Sequence, residues 1–377
     1  MSIEDRLIEA LKKRIDQGNL RQLSNREGLV DFCSNDYLGM SQNNVLKKKI
    51  EGELLSCNYK NGATGSRLIS GNSVEQVDLE SYLSHYFQGE SALLFNSGYN
   101  ANLGVLSVIP QRGDVIFYDE LVHASIKDGM RLSAAKRVRF NHNDLADLER
   151  KILAHEAQNI FVVVESVYSM DGDECPLVEL VQLAKKHNAA IILDEAHSTG
   201  VVGDKGAGMA VDLALEKDVF ARIYTFGKAV GVHGACVVGS KSLIDYLINF
   251  SRSLIYSTAL PTHSIVAIKC AFELLIDNKS REELKITISE FIENFNKIIE
   301  NKLLRISSNS PIQAILIPGN SRVKIVANYL NEKGYDVRPI LSPTVKEGEE
   351  RLRICLHNYN TKTDIEGMLN ALNKALK

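Results

Sequence analysis

Two short stretches of this chain carry residues whose types and spacing suit chemistry. In one, Lys228 stands between the small residues Gly227 and Ala229. In the other, a short apolar run ends on Asp194, and His197 follows. Glycine beside a lysine suits a backbone that passes close to a ligand better than it suits a helix or strand interior. An acid that ends an apolar strand stands where open α/β sheets bind their ligands.

A lysine and a carboxylate of this kind are what pyridoxal phosphate (PLP) requires. The amine can form a Schiff base with the cofactor, and the carboxylate can keep the pyridine nitrogen protonated, which the cofactor needs to act as an electron sink. Taken singly, Lys228 is more often a solvated surface charge, because lysines are seldom buried. The two stretches together predict a PLP enzyme.

The stretch from Asp194 to His197 has a second interpretation, an NTPase whose acids hold magnesium. That interpretation needs a phosphate loop of the form G-x-x-x-x-G-K-[ST]. Around Lys228, Arg222 occupies the first glycine position and Ala229 the hydroxyl position, so the pattern fails twice. We therefore expect no nucleotide-driven motor.

Composition limits the class of protein. The chain has 377 residues, 45% of them hydrophobic, and a net charge of −3. At about 150 residues per domain this length favours two domains. The charge balance predicts no nucleic-acid partner, and the apolar runs are too short to span a membrane, for which about 20 residues are needed. The acidic, amphipathic N-terminal stretch differs from a signal peptide, so we expect a cytoplasmic protein. The six cysteines form no C-x-x-C pair, and neither a metal site nor disulfides are expected.

The order of apolar patterns predicts an α/β fold. Between about residues 90 and 240, Val- and Ile-rich runs alternate with helical patterns, as in parallel strands with crossover helices. After about Ser257 long helical stretches and a few strands follow. We therefore expect an N-terminal helix and segment (1–45), a large α/β domain with a mostly parallel sheet (46–262) and a smaller α+β domain (263–377).

Eight segments in one order resemble a known family. They are Ser34 to Gly39, Gly62 to Arg67, Asn96 to Tyr99, His123 to Ser125, Tyr168 to Asp173, Asp194 to Gly200, Tyr224 to Gly231 and Leu254 to Thr258. Through them the chain resembles, nearly end to end, the α-oxoamine synthases. These are PLP-dependent transferases of fold type I (aspartate aminotransferase-like) that condense an amino acid with an acyl-CoA and release CO2.

The resemblance implies a role for each matching residue. Lys228 corresponds to the Schiff-base lysine, Asp194 to the partner of the pyridine nitrogen, and His123 to the imidazole that stacks on the ring. His197, with Ser169, corresponds to the groups near the ring oxygen. The remaining cofactor contacts are the phosphate-binding Gly98, Tyr99 and Thr225, and Thr258, which in this family comes from the second subunit of a homodimer.

One departure concerns the substrate carboxylate. The family normally places an arginine just before a Pro-Thr-Val string, and Leu341 stands there in this chain. Arg338 is the first candidate for a replacement, Arg351 and Arg353 are others, and Asn35 is expected to contribute.

Within the family the chain is most similar to members that join L-alanine to a pimeloyl thioester, carried by CoA or acyl carrier protein, in biotin synthesis. Glycine- or serine-using members, such as glycine C-acetyltransferase and serine palmitoyltransferase, are the alternatives, and a plain aminotransferase is a more distant one. Arg21 corresponds to a residue near the far carboxylate of the acyl chain. An exposed helix-end cation is an equally good interpretation of Arg21.

Overall fold

A computed structural model describes residues 1–23, 27–56, 60–301 and 304–377. Contacts group the chain into a larger unit, Asn35–Ser169 with Glu174–Arg281, and a smaller unit, Met1–Ser34 with Met170–Asp173 and Glu282–Lys377. Five cysteines are free thiols: Cys33, Cys175, Cys236, Cys270 and Cys355. The sixth, Cys57, lies outside the described residues.

The strands and helices follow one another as the apolar patterns predict. The strands are β1 (Val30–Asp31), β2 (Ser91–Phe95), β3 (Val115–Asp119), β4 (Lys136–Phe140), β5 (Ile160–Glu165), β6 (Ala189–Asp194), β7 (Ala221–Thr225), β8 (Ala235–Gly239), β9 (Ile312–Leu316), β10 (Tyr335–Asp336), β11 (Arg338–Ile340) and β12 (Arg351–Cys355). The helices are α1 (Ile3–Asp16), α2 (Asn44–Ser56), α3 (Val74–Tyr86), α4 (Gly98–Leu106), α5 (Ala124–Leu132), α6 (Leu145–Leu153), α7 (Leu177–Lys186), α8 (Met209–Asp212), α9 (Lys241–Phe250), α10 (Arg252–Ile255), α11 (Thr262–Leu275), α12 (Lys279–Ile298), α13 (Asn320–Glu332) and α14 (Lys362–Leu376).

The larger unit is built on a seven-stranded sheet in the order β2-β8-β7-β6-β5-β3-β4. Strands β3 to β7 run parallel, and β8 runs antiparallel to both β7 and β2. The inner strands are apolar because a parallel sheet is covered by helices on both faces. Strand β4, at the edge, instead exposes Lys136, Arg137 and Arg139. The predicted fold class, a mostly parallel α/β sheet, is confirmed.

The connection from β7 to β8 departs from the predicted run of parallel strands. Only residues 226–234 join these two strands, whereas a parallel crossover needs a dozen or more residues. The chain therefore turns back as a hairpin, and Lys228 lies in its loop. Gly231, at φ +69°, has no room for a side chain, because a Cβ there would lie 2.4 Å from the backbone nitrogen of Ser41.

The smaller unit is an α+β structure, as predicted. It contains a three-stranded antiparallel sheet, β11-β12-β9, and the parallel pair β1-β10. The predicted boundary at residue 262 differs from the grouping by contacts, which places α11 in the larger unit. The reason is that α11 packs on α2 and α3, with Ile265, Ile268 and Phe272 buried. In the part of the chain that the structure describes, no helix has the length and apolarity to cross a bilayer.

The Lys228 loop should depend on glycine at position 231. We expect Gly231→Ala to lower the free energy of unfolding by about 2 kcal/mol or more, because left-handed strain and a backbone collision act together. Gly113→Ala is the matched control in the same unit, since Gly113 is also left-handed, at φ +96°, but a Cβ there meets only the side-chain end of Gln158. Urea unfolding of both variants measures the difference. Equal losses of the free energy of unfolding in the two variants would show that the collision with the Ser41 backbone contributes nothing.

Candidate active site

A cavity of about 310 Å³ lies at the carboxyl ends of β5, β6 and β7 in the larger unit. Its lining includes eight residues that the sequence predicted as site residues: Asn35, Gly98, Tyr99, His123, Asp194, His197, Thr225 and Lys228. These residues come from loops, strand ends and helix starts that are far apart in the chain. The structure therefore brings most of the predicted site together.

Lys228 extends from the hairpin loop toward His197. Its Nζ lies 3.0 Å from Nε2 of that histidine. His197 is 4% exposed and follows the end of β6, so the short turn after this strand positions it. Lys228 itself is half-buried. The amine is thus held in the cavity by a neighbouring imidazole while it stays open to small molecules.

Asp194 ends β6 and is 4% exposed. Its Oδ2 accepts a hydrogen bond from Nδ2 of Asn102 at 2.8 Å, and its Oδ1 accepts one from the backbone N–H of Ala196 at 2.9 Å. Among the described residues no cationic side chain forms an ion pair with this carboxylate. Burying a charge with only neutral donors is costly. A positive group bound in the cavity would therefore stabilise this carboxylate.

Another part of the lining is the beginning of α4. Ser97 caps this helix by accepting a hydrogen bond from the N–H of Asn100, and Gly98 and Tyr99 form its first turn. A Cβ at Gly98 would lie 2.3 Å from Cγ2 of Thr225, so glycine lets the helix start close against the end of β7. A helix start with free N–H groups attracts an anion. Gly98, Tyr99 and Thr225 thus meet at a place suited to a phosphate.

His123 caps the next helix, α5. Its Nδ1 accepts a hydrogen bond from the N–H of Ser125 at 3.2 Å and lies 2.8 Å from the hydroxyl of the same serine. Desolvation lowers the pKa of the His123 imidazole below its ordinary value; nearby Asp194 opposes this shift, and Lys228 adds to it. The ring is therefore held neutral at neutral pH, as a group that stacks on a cofactor should be.

Glu165 is a lining residue that the sequence analysis missed. It ends β5, lies in register with Asp194 on β6, and accepts a hydrogen bond from the N–H of His123 at 2.5 Å. Burial raises the pKa of Glu165 to about 8, and the charge of Asp194 adds to the rise. The signal was present, since Glu165 ends an apolar strand just as Asp194 does. Asn102 was also missed, and a polar residue within a helix gives no comparable signal.

Four predicted site residues do not line the cavity. Ser169 is buried in the larger unit, and Thr258 is exposed there, with its carbonyl accepting a hydrogen bond from Asn96 at 2.8 Å. Arg21 and Arg338 belong to the smaller unit. Arg21 is exposed, with Nη2 at 3.5 Å from Oγ1 of Thr344.

The arginines proposed to replace the one missing at Leu341 already have partners within the smaller unit. Nε of Arg338 lies 3.1 Å from the carboxylate of Asp336. Arg351 is buried and forms an ion pair with Asp171. Arg353 donates to the sulfur of Cys355 at 2.9 Å. A role of any of them toward a substrate carboxylate stays a prediction.

The residues of the cavity fit pyridoxal phosphate. The cavity offers a lysine amine, a helix start for a phosphate, a neutral imidazole and a buried carboxylate that lacks a cationic partner among the described residues. A pyridinium nitrogen is the cation that such a carboxylate can hold. Lys228, Asp194, His123, His197 and the Gly98 region would hold the cofactor.

Comparisons with known proteins agree with this fit. Residues 27–372 match the family described as aminotransferase class I and II. The chain is 40% identical to 8-amino-7-oxononanoate synthase of Emericella nidulans, over 98% of this chain and 95% of the relative. It is 39% identical to the enzyme of that name from Marinobacter nauticus, over 92% of this chain and 87% of the relative.

Solved structures with a similar fold include enzymes of the same kind. Serine palmitoyltransferase of Sphingomonas wittichii is similar with a TM-score of 0.88 at 27% identity, over 98% of this chain and 96% of that chain. A structure of SPT with PLP also has a TM-score of 0.88, at 27% identity and the same coverage. The 8-amino-7-oxononanoate synthase of Francisella tularensis has a TM-score of 0.79 at 29% identity, over 93% of this chain and 98% of that chain.

The raised pKa of Glu165 predicts a pH dependence of stability. Below its ordinary pKa of 4.5 the carboxyl is protonated in the folded and unfolded chain alike. As the pH rises to about 8, the unfolded chain loses this proton first, so the folded state loses stability on the order of a few kcal/mol. Glu165→Gln carries no such proton and should lack this slope.

The measurement is urea unfolding of the PLP-free chain between pH 5 and pH 8.5, a range chosen to bracket the titration. The free energy of unfolding of Glu165→Gln, relative to that of the wild type, should increase as the pH rises. Glu90→Gln, at an exposed position, is the control that should run parallel to the wild type. Parallel curves for Glu165→Gln would show that Glu165 ionises normally.

Proposed function

The chain belongs to the class I and II aminotransferase family, and we propose that it condenses L-alanine with a pimeloyl thioester to give 8-amino-7-oxononanoate, CoA and CO2. It is a PLP-dependent enzyme of the α-oxoamine synthase type. The observation that carries the substrate proposal is the 40% identity to an 8-amino-7-oxononanoate synthase over nearly the whole of both chains. Such a product belongs to biotin synthesis, and a cytoplasmic location remains a prediction.

When bound, PLP supplies an electron sink for negative charge at the α-carbon of the amino acid. The residues of the chain do the rest. Asp194 would keep the ring nitrogen protonated, because a buried carboxylate raises the pKa of a hydrogen-bonded cation. Lys228 would anchor the cofactor, and its Nζ, when free, could take the α-proton of the amino acid. The neutral imidazole of His123 would stack on the ring. Because it is neutral, it would add no second positive charge beside the one that Asp194 stabilises.

The substrate-contacting residues remain proposals. Asn35 lines the cavity, and we propose that it contacts the amino acid. Arg338 is proposed for the amino-acid carboxylate and Arg21 for the far carboxylate of the acyl chain, both through the family resemblance. Ser169 and Thr258 are likewise proposed as cofactor contacts on that basis.

A serine palmitoyltransferase activity is the second candidate. The observation in its favour is the TM-score of 0.88 to that enzyme, against 0.79 to the 8-amino-7-oxononanoate synthase structure. The sequence points the other way, because identity is 27% to the palmitoyltransferase and 40% to a curated synthase. Backbone likeness reports the common fold, whereas substrate choice depends on side chains. We therefore favour alanine and a pimeloyl thioester.

Release of free thiol tests this function. Glycine, alanine and serine are each combined with acetyl-, pimeloyl- and palmitoyl-CoA, and we expect alanine with pimeloyl-CoA to turn over fastest, with one CO2 per thiol. Lys228→Ala should reduce every rate by several orders of magnitude, because anchor and base are lost together. Preference for serine with palmitoyl-CoA would establish the second candidate. Keto-acid formation without thiol release would indicate a plain aminotransferase.

We further propose that the enzyme is a homodimer with shared active sites. The apolar face of α1 is uncovered in the single chain, with Ile3, Leu7, Leu11 and Ile15 all at least half exposed. Tyr256, two residues before Thr258, is 73% exposed. Apolar surface of this extent favours association with another chain. Thr258 is then available to complete the site of the second copy.

Mixed dimers test the shared site. Thr258→Glu would place a carboxylate beside the phosphate, and we expect this variant and Lys228→Ala to be inactive alone. If Thr258 serves the partner, co-expression of the two inactive chains creates one intact site in each mixed dimer. Random pairing then restores about one quarter of wild-type thiol release. No recovery, or an active Thr258→Glu variant, would contradict the proposal.

A further inference from the structure

A line of hydrogen bonds runs from Lys228 through His197 and Tyr37 to Asn35. Nζ of Lys228 lies 3.0 Å from Nε2 of His197, and Nδ1 of His197 lies 2.8 Å from the hydroxyl of Tyr37. That hydroxyl donates to Oδ1 of Asn35 at 3.0 Å. Tyr37 is fully buried, and all four residues belong to the larger unit.

The chemistry of these groups gives the line a direction. A tyrosine hydroxyl has one proton, and an amide oxygen can only accept. Because the proton of Tyr37 goes to Asn35, the proton between Tyr37 and His197 must belong to Nδ1 of the histidine. A neutral imidazole with its proton on Nδ1 has a lone pair on Nε2. That lone pair faces the Lys228 amine.

We propose that Tyr37, oriented by Asn35, is a positioning residue that fixes the tautomer of His197 and so makes Nε2 a hydrogen-bond acceptor for Lys228. The family resemblance placed His197 near the ring oxygen and gave Tyr37 no role. The proposal rests on the proposed function only in taking Lys228 as the reactive amine. Tyr37 acts through His197 and needs no contact with the substrate.

The role predicts a change in the amine itself. An acceptor at Nε2 favours the ammonium form of Lys228, because hydrogen bonds to charged groups are stronger than those between neutral groups. In Tyr37→Phe, Nδ1 of His197 loses its acceptor and the proton can move to Nε2. A protonated Nε2 cannot accept from the ammonium. Acylation of Lys228 in Tyr37→Phe should therefore reach half of its maximal rate at a lower pH than in the wild type.

The first measurement is the tautomer of His197 in the full-length, PLP-free chain, read from nitrogen-15 NMR of labelled histidines and assigned with His197→Gln. We expect the proton on Nδ1 in the wild type and a large Nε2–H population in Tyr37→Phe. Tyr224→Phe is the matched control, since Tyr224 is equally buried and its hydroxyl is bonded to Arg222 outside the cavity. It should leave the tautomer unchanged.

Asn35→Ala is a second variant, independent of any packing defect at Tyr37. Without the amide oxygen, Tyr37 can donate its proton to Nδ1 of His197, which drives the histidine proton to Nε2. The second measurement is the pH dependence of Lys228 acylation, followed by mass spectrometry. An Nε2–H tautomer in the wild type, or an unchanged tautomer in either variant, would overturn the proposal. Failure of the proposed function would appear separately, as wild-type protein that releases no thiol.

Discussion

A carboxylate buried at the end of a central strand needs a positive partner, and Asp194, which ends β6, is such a carboxylate. The chain supplies it with the amide of Asn102 and the N–H of Ala196, which are neutral donors. Neutral donors orient a charge but do not balance it, so this carboxylate suits the cationic ring of the cofactor. The adjacent Glu165 is kept protonated by the same burial and by Asp194 itself, as its pKa of about 8 shows.

The geometry around this carboxylate depends on two glycines whose backbone lies very close to neighbouring segments of the chain. Gly98 lets α4 begin against Thr225, and Gly231 lets the Lys228 loop pass the backbone near Ser41. Both contacts have the same effect, because they bring the start of α4 and the amine of Lys228 to the same cavity as Asp194. A side chain at either glycine would enlarge the distance between these groups. The antiparallel return of β8 has the same effect, since a crossover helix would carry Lys228 away from the end of β7.

The larger unit alone contains the amine, the imidazoles, the helix start and the carboxylates. The residues proposed for substrate carboxylates, Arg21 and Arg338, are in the smaller unit, and Thr258 is proposed to act in a second copy. Asn35, the third residue proposed for the substrate, lines the cavity of the larger unit.

The sequence by itself determined the fold class and the cofactor, and it predicted eight residues that line one cavity. It could do so because Lys228, Asp194, His197, Gly98 and His123 lie in short segments whose local pattern is informative. The α/β alternation was equally local, because apolar periodicity reports which faces of a strand or helix are buried.

Only the tertiary structure decided which groups meet across long separations. Asn102 reaches Asp194, Tyr37 reaches His197, and Glu165 stands in register with Asp194. No pattern along the chain encodes these pairs, because contacts between distant segments depend on strand order and packing. The hairpin at Lys228 was misjudged for a related reason, since strand direction depends on the length of the connection and not on the strand's own residues.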